Sequence, residues 1–134
     1  MFVSSILVFS LGLSIFGGGG SNGQAPSRNE IEFIESHVSL PGEAPGPLSK
    51  YERYYAWTVD NGKRYIYAVY IFDELLASQQ RDPQTGHIHA VPEQEMPNVS
   101  NGGCGVITFY ADPNKDRPPS LYCNAVGPVS FSKN

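Results

Sequence analysis

The sequence predicts an α+β fold, in which an N-terminal apolar segment precedes one short helix packed on a four- to five-stranded antiparallel sheet. Three observations carry that expectation. Ser27 and Glu30 form a capping-box pattern ahead of an amphipathic stretch, Asn61-Gly62 joins two aromatic-rich runs, and later β-branched and aromatic runs are separated by proline- and glycine-rich turns.

The first element is the apolar segment. No residue from Phe2 to Phe16 is charged. As a helix these residues reach roughly 22 Å, short of a hydrocarbon core of about 30 Å, so the length suits a signal peptide or an anchor. Residues 1–16 are expected to serve export to the periplasm or the exterior, and membrane contact is expected only through residues 1–20. Gly17 to Gly23 reads GGGGSNG, and Gly18, Gly20 and Gly23 formally satisfy G-x-G-x-x-G. The dinucleotide fingerprint needs a strand before it and a helix after it; here Gln24-Ala25-Pro26 follows, and residues 17–26 read as a flexible linker. Residues 27–134 form the single domain.

Within it, Ser27 to Val38 is expected to be helical. Ile31, Ile34 and Val38 share one stripe, Glu32 and Glu35 face water, and His37 sits where a cation meets the helix C-terminus. Lys50 to Phe72 is the hairpin. A two-residue type I′ turn at Asn61-Gly62 sets Asp60 opposite Lys63 and fixes the register of both strands. One face then carries Trp57, Ile66 and Phe72, the expected core under the helix. The other carries Tyr54, Tyr65 and Tyr67, with small partners, Thr58 and Ala56, opposite Tyr65 and Tyr67. Gln79 to Thr85 is a polar loop, His87 to Val91 a short strand, Pro92 to Pro97 a turn, Cys104 to Ala111 a strand, and Leu121 to Val126 the last strand. Asn98-Val99-Ser100, a glycosylation sequon, and Asn101-Gly102 read as an exposed turn.

Cys104 and Cys123 are the only two cysteines. A last hairpin centred on Pro113-Asn114 sets them opposite each other, with Val106 opposite Leu121, and a disulfide is expected. The alternative is a nucleophilic Cys104 among Gly102, Gly103 and Gly105; a thiolate there needs an activating cation or helix N-terminus that the sequence does not place.

Composition bounds the function. The 134 residues are 40% hydrophobic and carry eight tyrosines, with nine Lys and Arg and a net charge of −4. That balance speaks against nucleic acid and against docking on an anionic membrane surface, both of which need clustered base. Lys50, Arg53, Lys63 and Arg64 lie in the hairpin, but Arg53 and Arg64 project away from the tyrosines, so a basic-aromatic RNA platform is discounted. H-E-x-x-H and the P-loop are missing from the sequence, and Asp73 and Glu74 are adjacent, which splays them on a strand.

His87 and His89 share a side of any strand that holds them, and Glu93 follows, an arrangement of nitrogen and oxygen donors suited to zinc or nickel. The competing reading is an exposed polar edge that needs no cofactor. Tyrosines supply rigid amphipathic contact area, so Tyr54, Tyr65 and Tyr67 are the candidate recognition residues, for a protein or a small ligand; a second packing interface is the plain alternative.

One helix crossed by an antiparallel sheet resembles, in architecture, the cystatin-like small exported folds. The Q-x-V-x-G hairpin motif of cystatins does not occur in this chain. The expected function is a non-catalytic binding or structural domain of the cell envelope, with a metal-binding protein and a protease-inhibitor-like module as alternatives.

Overall fold

The computed structural model describes residues 25–78 and 86–132. The apolar segment, residues 17–24 of the linker and the polar stretch Gln79 to Thr85 lie outside the described residues.

The fold is α+β, with one helix longer than two turns, a mixed five-stranded sheet and a separate two-stranded sheet. Helix α1 spans Arg28–Glu35. Its capping box forms as the sequence specifies: Glu30 N–H donates to Ser27 Oγ at 3.2 Å, and Ser27 N–H to Glu30 Oε1 at 2.9 Å. Ile31 and Ile34 are buried and Val38 packs beside them, although the helix stops at Glu35 and Val38 follows beyond the turn. His37 secures that end. Its Nδ1 lies 2.8 Å from the Phe33 carbonyl and its Nε2 reaches Asp116, contacts that raise its pKa above the ordinary 6.5, the backbone hydrogen bond foremost. A raised pKa means that the contact's contribution is complete below 6.5 and is lost as pH rises through the folded value. The His37 Cε1 proton is expected to titrate above 6.5 by NMR, and Asp116→Asn to bring that midpoint down; an unchanged midpoint would remove Asp116 as a cause.

Strands β1 (Tyr51–Asp60) and β2 (Lys63–Phe72) pair in the register that the Asn61-Gly62 turn imposes, from Asp60 with Lys63 to Tyr51 with Phe72. Both turn residues have positive φ, 49° at Asn61 and 75° at Gly62, as type I′ requires. Helix α2 (Asp73–Ser78) follows directly. β5 (Val106–Ala111) pairs antiparallel with β2, and β6 (Tyr122–Cys123) with β5.

The antiparallel expectation fails at one edge. β3 (Ile88–Ala90) runs parallel to β1, giving the order β3-β1-β2-β5-β6. Side chains hold it there as much as the ladder does: the Arg53 guanidinium donates to the Gly86 carbonyl at 2.8 Å, and His89 Nε2 pairs with Glu52. The sequon Asn98-Val99-Ser100 is strand β4 rather than a turn, paired with β7 (Ser130–Ser132), and the turn is confined to Asn101 and Gly102. The strand expected over Leu121 to Val126 is reduced to its two residues in β6.

Two cores result. Under α1 lie Tyr51, Tyr55, Ile66, Tyr70, Phe72, Ile107 and Phe109, with Trp57 at their edge. On the opposite face Ala56, Val69, Ile71 and Val106 are sealed by Leu76, Met96, Val99, Val129 and Phe131. Glu35 departs from the expected solvent-facing position. It accepts from Arg53 and from the Tyr55 hydroxyl, each at 2.7 Å, and Tyr55 meets the Tyr70 hydroxyl at 2.6 Å. A short acidic side chain at the end of α1 thereby anchors the helix to the sheet.

Cys104 and Cys123 form a disulfide, which removes the nucleophile alternative. The register differs from expectation by three residues: Cys123 stands opposite Ile107, and Cys104 sits before the strand in a 3-10 turn, Gly103–Gly105. Gly102 and Gly103, with φ of 94° and 57°, fold that turn back so that the cysteine Cα atoms lie 4.5 Å apart.

Candidate functional site

The tyrosine-bearing sheet face is covered over only part of its length. The segment from Val91 to Val99, α2 and the β4–β7 pair sit over Ala56, Val69, Ile71 and Val106. Toward the Asn61-Gly62 end the same face stays open. Strand alternation there brings together Thr58 and Asp60 from β1, Lys63, Tyr65 and Tyr67 from β2, and Tyr110 and Asp112 from β5 and its end. Tyr122 of β6 adds a further ring, since its partner Thr108 projects on that side.

The rings are ordered by cross-strand pairing. Tyr67 and Tyr110 are direct partners and stack with centroids 5.0 Å apart and planes 17° from parallel. Half-burial raises the Tyr67 pKa, with the neighbouring Tyr110 hydroxyl adding to it. Tyr110 is 58% exposed and Tyr122 64% exposed. Together with Tyr65 they line a cleft of about 500 Å3, whose rim carries Lys63, Lys115, Arg117, Pro118 and Pro119. A second cavity, of about 530 Å3, shares Tyr65 and Tyr110 and continues toward Thr58, Val59 and Asp60. Both volumes fall in the range of about 300–1,000 Å3 common for small-molecule sites.

One ion pair fixes the floor. Lys63 Nζ lies 2.9 Å from Asp112 Oδ2 and 5.2 Å from the centroid of the Tyr65 ring. That hydrogen bond is the main reason that the Lys63 pKa is raised and the Asp112 pKa lowered, so both stay charged across the neutral range. Arg117 is exposed and makes no hydrogen bond or ion pair with a described residue.

The three tyrosines named from the sequence are therefore divided. Tyr65 and Tyr67 belong to the open end, whereas Tyr54 lies toward β3, its ring stacked on His89 at 4.5 Å. Of the histidine group, His87 and His89 stay together, the His87 Nδ1 lying 3.9 Å from the same Glu52 oxygen that His89 meets, and Glu93 parts from them. Glu93 accepts from the Thr58 hydroxyl at 2.7 Å, and the carboxylate that His89 meets is Glu52, which is 3% exposed and also accepts from the His87 backbone N–H at 3.2 Å. Among the described residues no group of three or more His, Cys, Asp or Glu is arranged to hold a metal ion. Sequence reasoning missed Tyr110, Tyr122, Lys115 and Arg117. Tyr110 had a usable signal, its place two residues from Thr108 in a clear strand, but its face depended on a pairing that no short turn dictated.

Comparison with protein-family models, curated proteins and solved structures returned no match. No described helix is long and apolar enough to cross a membrane.

Proposed function

We propose that this chain is a non-catalytic binding domain that works in an oxidising compartment outside the cytoplasm, with its site on the open end of the tyrosine face. The observation that carries the reading is the pair of exposed rings, Tyr110 and Tyr122, on a cleft whose other walls are the stacked sheet and a proline-bearing turn. Rings left this far in water forgo part of the burial energy that a bound partner recovers. The Cys104–Cys123 disulfide supports the compartment, since structural disulfides persist where thiols are not kept reduced. The uncharged stretch from Phe2 to Phe16 supports export as the route.

The test is a fragment screen by NMR on the full chain with its disulfide intact. Hits are expected to shift the resonances of Tyr65, Tyr110 and Tyr122 together. Tyr110→Ala is expected to abolish those shifts while costing about 1 kcal/mol of stability, the worth of its stacked cross-strand pair with Tyr67. Hits that cluster elsewhere on the domain, and persist in Tyr110→Ala, would overturn the reading.

A further inference from the structure

We infer that the cleft takes an acidic oligosaccharide, a chain of sugar rings bearing at least one carboxylate; the inference rests on the reading of this cleft as the binding site. Three features of the cleft select that chemistry.

The first is the surface of the floor. Tyr65, Tyr110 and Tyr122 line it with three hydroxyl-bearing rings, Tyr110 stacked on Tyr67 on one side and Tyr65 lying under the Lys63 ammonium. A pyranose presents the complementary surface, a face of C–H groups bordered by hydroxyls, so stacking buries apolar area while polar edges stay hydrogen-bonded. A wholly apolar ligand would strand the ammonium, guanidinium and carboxylate groups of the rim without water or partners.

The second is charge. The cleft lined by Tyr122 holds Lys63, Lys115 and Arg117 against the single carboxylate Asp112, a surplus of two positive charges in a chain whose net charge is −4. Asp112 is taken up by Lys63, which leaves Arg117 to pair bidentately with a ligand carboxylate beside Lys115.

The third is polarity along the groove. The adjoining cavity is lined by Thr58 and Asp60, the latter the register partner of Lys63, and the Asp60 carboxylate repels anions and receives hydroxyl donors. A ligand that fits both ends carries a carboxylate at one and neutral hydroxyls at the other. Single-stranded nucleic acid, with a charge on every unit, would set phosphates against Asp60 and Asp112.

The experiment is calorimetric titration of the full chain, disulfide intact, with a galacturonate trimer, a hyaluronan tetrasaccharide, their carboxyl-reduced neutral counterparts, and a hexamer of thymidylate. At least one acidic sugar is expected to bind, its reduced counterpart tenfold or more weakly. Lys115→Ala/Arg117→Ala is expected to weaken the acidic sugar about tenfold, Tyr122→Ala to abolish binding, and Lys50→Ala, outside the cleft, to leave it unchanged. Equal affinity for acidic and reduced sugars, or tighter binding of the oligonucleotide, overturns the proposal. If no sugar binds while fragments still shift Tyr65, Tyr110 and Tyr122, the ligand class is wrong and the binding site stands; if fragments map elsewhere too, both readings fall.

Discussion

Glu35→Ala is expected to destabilise the domain by about 3 kcal/mol, the cost of stranding one member of a largely buried ion pair. Arg53 and Glu35 side chains are 11% and 17% exposed, and the Glu35 carboxylate is the acceptor for both the guanidinium and Tyr55. Removing it leaves a buried cation that already has one nitrogen, Nε, without a partner among the described residues. It also leaves Tyr55 with only the Tyr70 hydroxyl. Burial pushes the pKa values of both tyrosines well above the ordinary 10, so neither ionises to serve as a counter-charge. Urea denaturation read by tryptophan fluorescence provides the measurement. Glu35→Gln, which keeps a carbonyl in place, should recover part of the loss. The paired replacement Glu35→Leu/Arg53→Met should recover more, because no charge is then left buried. A loss under about 1 kcal/mol in Glu35→Ala would mean that water reaches Arg53 and that the network does not hold α1 to the sheet.

Replacing both cysteines by serine is expected to cost about 3 kcal/mol, from a loop with a sequence separation of 19. For a domain of this size that corresponds to a fall in Tm of roughly 10–15 °C. The effect should be uneven. β6 contributes only two residues to the ladder, and beyond it that edge is held by the disulfide, by Asn124 through its N–H to the Val106 carbonyl and its amide to the Val99 and Asn101 carbonyls, and by the Gly103 and Gly102 N–H groups to the Ala125 and Gly127 carbonyls. Amide exchange should therefore accelerate around residues 101–105 and 121–125, while the β1–β2 hairpin stays protected at the global limit. Tyr122 precedes Cys123, so the same change should loosen the cleft wall and weaken ligand capture. Unchanged Tm with uniform exchange would show that the bridge constrains nothing that the ladder does not already fix. The native protein itself should weigh two hydrogens, about 2 Da, less than its reduced form.

The hairpin, the helix start and the cysteine pairing were legible in the sequence by itself, because each rests on local chemistry. Asn61-Gly62 permits positive φ at two successive residues, and once a two-residue turn is set the period of two assigns every side chain from Tyr51 to Phe72 to a face. Ser27 and Glu30 satisfy each other across one turn, so the helix needed no distant partner to announce its beginning. It ends at Glu35, short of Val38, and Glu35 itself turns from water to Arg53, 18 residues away, a contact that no helical periodicity encodes. The parallel β3 edge depends on Glu52 with His89 and on Arg53 with Gly86, long-range contacts that decide the direction of a three-residue strand which propensity leaves open. The three-residue shift at the disulfide came from the 3-10 turn at Gly103–Gly105, where glycines permit a fold-back without requiring one. For the proposed site, the sequence named Tyr54, Tyr65 and Tyr67 together, and the structure sets Tyr54 apart beside His89. Only the β2–β5–β6 pairing brought in Tyr110 and Tyr122, and only the packing of Met96, Val99 and Phe131 over half the face decided which tyrosines remain in water, since burial of a sheet face is set by what lands on it.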